Sequence, residues 1–172
     1  MRKTISSALI IASCLALALE ATRAQGQTAI AMVTRSTPAE AVELERKAAQ
    51  LYSEPLRYLE AARLHMRAAE LREHGDPMQV QNLSMAGRLF YYTGRKAEAF
   101  RAIEAAADAA IAVGDVLNAA HLFVDASHLA HEINRREDAL RLRDRARLLT
   151  KSPLLAESDR NGVATRIDSS VS

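Results

Sequence analysis

Five side chains between positions 121 and 132 are of the types that bind metals or move protons, and four of them share a spacing. His121, Asp125, His128 and Glu132 stand at i, i+4, i+7 and i+11, and on an α-helix that spacing sets all four on one stripe. Two imidazoles and two carboxylates on one face are raw material for a zinc or other transition-metal site. The same positions also read as the polar face opposite an apolar stripe of Leu122, Phe123, Ala126, Leu129, Ala130 and Ile133. The polar face is the reading adopted, because a His-Glu-x-x-His motif is missing and one helix rarely completes a coordination shell. Neither a metal nor a cofactor is therefore expected. His74, before Gly75, suits a helix C-terminus, where the dipole favours a cation. His65 stands where an apolar residue is expected and reads as a satisfied core or boundary histidine rather than a ligand. The sequence holds no Gly-rich phosphate loop and no Gly-x-Ser-x-Gly elbow. Its one cysteine is Cys14, so neither an intramolecular disulfide nor a Cys-based zinc cluster is available. The expectation is a protein that is not an enzyme.

Cys14 lies in a segment with the pattern of a secretory signal peptide. Arg2 and Lys3 form a positive start, Ile5 to Leu19 is uncharged and apolar, and Thr22-Arg23-Ala24 offers small residues to a peptidase. A stretch of this length is short for a membrane span. Ile11-Ala12-Ser13-Cys14 also resembles a lipobox, whose Cys would be lipidated, although Leu15 to Leu19 stay apolar where a lipoprotein turns polar. Cleavage after Ala24 and a periplasmic or secreted location are expected, with lipidation at Cys14 the alternative. The chain has 23 basic and 21 acidic residues. Removing Arg2, Lys3, Arg23 and Glu20 leaves 20 of each. That balance gives no electrostatic footprint for nucleic acid.

The elements that carry the polar stripe are helices. At 172 residues, with 26% charged residues, 6 Gly, 4 Pro and no Trp, the composition suits one all-α domain. Residues 25–36 read as a linker. Thr37-Pro38-Ala39-Glu40 reads as a capping box with Pro at the first helical position, and Asp76-Pro77-Met78-Gln79 repeats the design. Gly75, Gly94, Gly114 and Asn134 each follow a helical run, where a left-handed residue closes the helix. These marks predict six helices over 38–52, 55–73, 77–93, 95–113, 115–133 and 135–150, joined by short turns and hence antiparallel to their neighbours. The domain is expected over 37–152, with 153–172 as a flexible tail. A small–large–small pattern recurs at i, i+4, i+7: Ala61/His65/Ala68, Ala99/Ile103/Ala106, Ala119/Phe123/Ala126 and, degraded, Ala139/Arg143/Ala146. Small residues at this spacing let helices approach closely. The mixed charges of Arg135 to Arg147 read as a surface laced with local ion pairs.

From Leu83 to Ala106 the chain resembles a tetratricopeptide repeat. Gly87 and Phe90 match the small and aromatic positions of its first helix, Gly94 its turn, and Ala99, Ile103 and Ala106 its second helix. Leu83 stands where the family often has Trp. Forty residues on, the pattern meets Phe123, Ala126, Ser127, Ala130, Asn134, Ala139 and Ala146. Thirty-eight back it meets Ala48, Ala49, Tyr52, Ala61 and Ala68. The unit exceeds the family's usual 34 residues by about a helical turn.

The resemblance implies three antiparallel hairpins stacked as a short right-handed solenoid, with the first helix of each hairpin lining a concave groove. The matching groove positions are Gln81, Ser84, Arg88, Tyr91 and Tyr92 in the middle unit, and His121, Val124, His128, His131 and Glu132 in the last. In the first unit they are Glu43, Arg46, Gln50 and Ser53. Hydrogen-bonding side chains, an Arg and two Tyr rings suit a peptide, though a basic clamp for carboxylates is not evident. The implied function is a scaffold or adaptor of the bacterial envelope that holds a protein or peptide partner. Neither nucleic acid nor a membrane span enters, and an end face of so short a stack is left for a partner or a second copy. The alternatives are a subunit anchored through lipid on Cys14 and, further off, a metal-dependent enzyme using His121 and His128.

Overall fold

The computed structural model describes residues 38–169, and within them the protein is all-α, with seven helices. We label them α1 (38–50), α2 (Tyr58–Glu70), α3 (Pro77–Tyr92), α4 (Lys96–Ala112), α5 (Val116–Glu132), α6 (Arg136–Leu149) and α7 (Glu157–Ser169). A single 3-10 turn, Pro55–Arg57, leads into α2. The expected leader, the linker and the cap at Thr37 lie outside the described residues.

The boundaries follow from local chemistry. Asp76 caps α3 by accepting from the Met78 backbone N–H at 2.8 Å, with Pro77 at the first helical position. The reciprocal half of the expected capping box is not made: the Gln79 amide donates instead to the Ala69 carbonyl, 3.3 Å away. Three helices end in the same way. After α3 the N–H of Gly94 reaches Tyr91 and that of Arg95 reaches Phe90; after α4 Gly114 reaches Ile111 and Asp115 reaches Ala110. After α5 Asn134 reaches His131 and Arg135 reaches Ala130. This is the paired 6→1 and 5→2 closure that a left-handed residue permits, and φ is +76° at Gly94, +78° at Gly114 and +61° at Asn134. The closures recur every 20 residues, so helix and turn lengths repeat with them.

From α2 onward each helix packs on the next in sequence as far as α6, as a stack of helical hairpins does. Alanines make the close approach possible: Ala61, Ala68, Ala99, Ala106, Ala119, Ala126 and Ala146 are fully buried. Phe123 fills the large slot of its pattern and is also buried. Gly87 is a close approach between α3 and α4. A Cβ there would fall 2.5 Å from Ile103 Cδ1 and 2.6 Å from its Cγ1.

The charges of α6 are structural. Arg141 pairs with Glu104 and Asp138, each at 2.7 Å, and Arg145 pairs with Asp108 at 2.6 Å. The Arg145 guanidinium also lies 4.0 Å from the centre of the Phe123 ring.

The main departure from the sequence reading is at the C-terminal end. The segment expected as a flexible tail contains α7, which packs on α5 and α6 and buries Val163 and Ile167 completely or nearly so. Those two residues, one turn apart, are the buried anchors of a largely polar helix.

Candidate functional site

Two regions gather polar side chains among buried apolar ones, one between α1, α2 and α3 and the other between α3 and α5. In the first, His65 is only 6% exposed and Asn82 1%. The His65 Nδ1–H donates to Asn82 Oδ1 at 2.8 Å, and the Tyr52 hydroxyl donates to Nε2. Asn82 Nδ2 donates to Glu45 Oε1 at 2.6 Å. Glu45 can only accept, which fixes the orientation of the Asn82 amide and with it the histidine tautomer. Arg72 donates to both Glu45 oxygens, at 2.8 and 2.9 Å, and to Asp76 at 3.2 Å. Burial pushes the His65 pKa down from its usual value, against the opposing hydrogen bond of Asn82 and the charge of Glu45. Burial also raises that of Tyr52. The network is fully satisfied and stitches three helices together, which is the satisfied core histidine expected at this position.

The second region is a cavity of about 260 Å³ between α3 and α5. Its apolar lining comes from Gly87, Ile103, Leu122 and Leu129, and its polar lining from Arg88, Tyr91, Tyr92, Asp125, His128 and Glu132. Tyr92 is 71% exposed and Tyr91 43%. Their rings meet edge to face, 6.3 Å between centres, and Tyr92 also leans on Tyr58 of α2 at 6.4 Å. A second hollow, of about 350 Å³, is lined by Gln81, Ser84 and Arg88 of α3 with Asp115 and Asn118 at the start of α5. Arg88 belongs to both, so one groove runs along α3 past the facing side of α5.

The charges of this groove are unequal. Glu132 is paired with Lys96 of α4 at 2.7 Å, and that contact raises the Lys96 pKa. Asp125 is paired with Arg166 of α7 at 2.6 Å. Arg88 has no ion-pair or hydrogen-bond partner among the described residues. His128 is the second unmatched group: its Nε2 is buried with no hydrogen-bond partner. Burial lowers its pKa, with the nearby Arg166 and Arg143 cations acting in the same direction and Asp125 and Glu132 against it.

The structure thus brings Arg88, Tyr91, Tyr92, His128 and Glu132 to one cavity and Gln81, Ser84 and Arg88 to the adjoining hollow. It separates the others. Val124 is fully buried, not groove-facing, because it joins the core cluster that also takes Val163 and Ile167 of α7. His121 is engaged by α7, its Nδ1 accepting from Arg166 at 2.7 Å. His131 is exposed near the end of α5 and lines neither hollow. In α1, Glu43 and Arg46 pair with each other at 2.7 Å, and Gln50 faces a different hollow with Lys47, Glu54 and Arg57. The α5 stripe is likewise divided: His121 and Asp125 hold Arg166, Glu132 holds Lys96, and His128 lines the cavity with no hydrogen-bond partner for Nε2 among the described residues. Among the described residues no three potential metal ligands converge, and no helix is long and apolar enough to cross a membrane.

Sequence reasoning missed Asn82, Glu45, Arg72 and Arg166. For Asn82 there was a usable signal, a polar residue between apolar Val80 and Leu83 in α3, one hairpin helix away from the out-of-place His65. Neither a family model nor a curated protein nor a solved structure matches the chain.

Proposed function

We propose that the protein is a non-catalytic scaffold, a short tetratricopeptide-like stack that holds a polypeptide partner along the groove between α3 and α5. The observation that carries this reading is the cavity itself: two exposed tyrosines and an unpaired arginine surround an apolar floor. Interfaces concentrate their energy in such aromatic and arginine anchors. At about 260 Å³ the cavity lies below the range of roughly 300–1,000 Å³ typical of small-molecule sites, and an inserted side chain suits it better than a cofactor. The signal-peptide pattern of residues 1–24 supports an exported protein that meets its partner in the envelope, and an intact mass beginning at Gln25 is the expected mature form. A mass beginning at an acylated Cys14 would replace that part of the reading with a lipid-anchored one.

The test is recovery of envelope partners on immobilised protein. The double variant Arg88→Ala/Tyr91→Ala should lose a partner that the native chain retains, with helix content and melting nearly unchanged because both side chains are exposed. Arg101→Ala/Arg136→Ala, exposed on α4 and α6, should retain it. Retention by the groove variant and loss by the other would place recognition on the outer surface and end the groove reading.

A further inference from the structure

We infer that the α3–α5 cavity recognises an apolar side chain with a carboxylate on the adjacent residue of an extended partner segment, the apolar group entering over Ile103, Leu122 and Leu129 and the carboxylate meeting Arg88. The inference rests on the groove reading above and names the chemistry of its ligand.

Charge complementarity decides the class. Three ionic side chains line the cavity. The carboxylates of Asp125 and Glu132 are each neutralised by a cation from another helix, at 2.6 and 2.7 Å. A basic ligand would have to displace Arg166 or Lys96 to reach them. Of the three, Arg88 alone is uncompensated among the described residues, so the charge left to match is positive. An exposed Arg–carboxylate pair is worth little by itself. Beside an apolar cavity that excludes water once filled, the same pair strengthens as the local dielectric falls. Acid and apolar group should therefore bind together far better than either alone.

His128 gives an independent reason for a ligand here. Its Nε2 is buried and unpartnered, and such a group already carries its desolvation cost in the free protein. A ligand backbone amide that meets this nitrogen recovers that cost. The imidazole can turn about its soft, two-fold Cβ–Cγ torsion to do so. His65, held on both ring nitrogens, has no such capacity.

The experiment titrates the purified protein with four capped dipeptides, acetyl-Phe-Asp-methylamide, acetyl-Leu-Asp-methylamide, acetyl-Phe-Asn-methylamide and acetyl-Ala-Asp-methylamide. It follows the His128 imidazole Cε1–H resonance by NMR, assigned with His128→Gln. The expected result is a saturable His128 shift with Phe-Asp or Leu-Asp, at least tenfold tighter than with Phe-Asn or Ala-Asp. In Arg88→Gln the advantage of Phe-Asp over Phe-Asn should vanish; in Arg101→Gln it should persist. Equal binding of all four, a response that bypasses His128, or no response at millimolar dipeptide overturns the inference. The groove reading fails separately, through partner retention by Arg88→Ala/Tyr91→Ala.

Discussion

His65 is buried and His128 half-buried, and burial holds the pKa of each below its ordinary value. Their surroundings otherwise differ. His65 occupies the large slot of an alanine pattern in α2, and Tyr52 and Asn82 take up both of its nitrogens. His128 sits on α5 beside a cavity, with Nε2 unmatched. Buried polar groups are nearly always hydrogen-bonded, so the first arrangement reads as structure and the second as a place where something binds. The same contrast holds for the arginines. Arg72 is locked to Glu45 and Asp76, whereas Arg88 stands unpaired at the groove.

The largest effect that this contrast predicts is at His65. His65→Leu keeps the volume but strands the Tyr52 hydroxyl and the Asn82 amide, and each orphaned buried group costs about 1–3 kcal/mol. A loss of roughly 2–4 kcal/mol in urea denaturation is expected. A loss within experimental error would show that the α1–α3 network is not a structural anchor.

Next in size is Gly87, which sets the floor of the groove. Gly87→Leu should cost about 1–3 kcal/mol through overpacking against Ile103. For the smaller Gly87→Ala, Ile103→Val should give only partial relief, because it removes the Cδ1 atom at 2.5 Å and leaves Cγ1 at 2.6 Å. An unchanged urea midpoint for Gly87→Leu would mean that α3 and α4 do not meet there.

The pH dependence follows in sign from both histidines. Each has a folded pKa below the unfolded value near 6.5, so unfolding takes up protons. Their contribution to stability is present above that value and is lost as pH falls toward the folded pKa. The urea midpoint should drop between pH 7 and pH 5, and the slope should flatten in His65→Leu and again when His128→Leu is added.

The smallest effect is expected at His128 itself. His128→Leu removes an unpaired buried nitrogen, so stability should stay level or rise by up to about 1 kcal/mol. A loss comparable to that of His65→Leu would erase the distinction between the two sites.

The helix ends were legible because Pro77, Asp76, Gly94, Gly114 and Asn134 act through local backbone chemistry that needs no tertiary partner. The alanine spacing was legible for a related reason: a fixed period on one helix already states which face is close-packed. The register also put Arg88, Tyr91, Tyr92, His128 and Glu132 on facing sides of two helices, and one cavity holds them all. What could not be read were contacts between elements distant in sequence. Val163 and Ile167 are too few to announce α7 by periodicity, and without α7 nothing in the sequence shows that His121 is held by Arg166. The chain of bonds from Tyr52 to Asp76 was hidden likewise, because its six members are scattered over three helices and the turns between them.

Photo-crosslinking in the native envelope tests the central claim most directly. A benzoylphenylalanine placed at Tyr91, on the groove, is compared with one at Leu140, which is more exposed, on α6. The account predicts a discrete crosslinked partner from position 91 that disappears when Arg88→Ala is added, and none from position 140. A partner captured from position 140 and not from position 91 would contradict it.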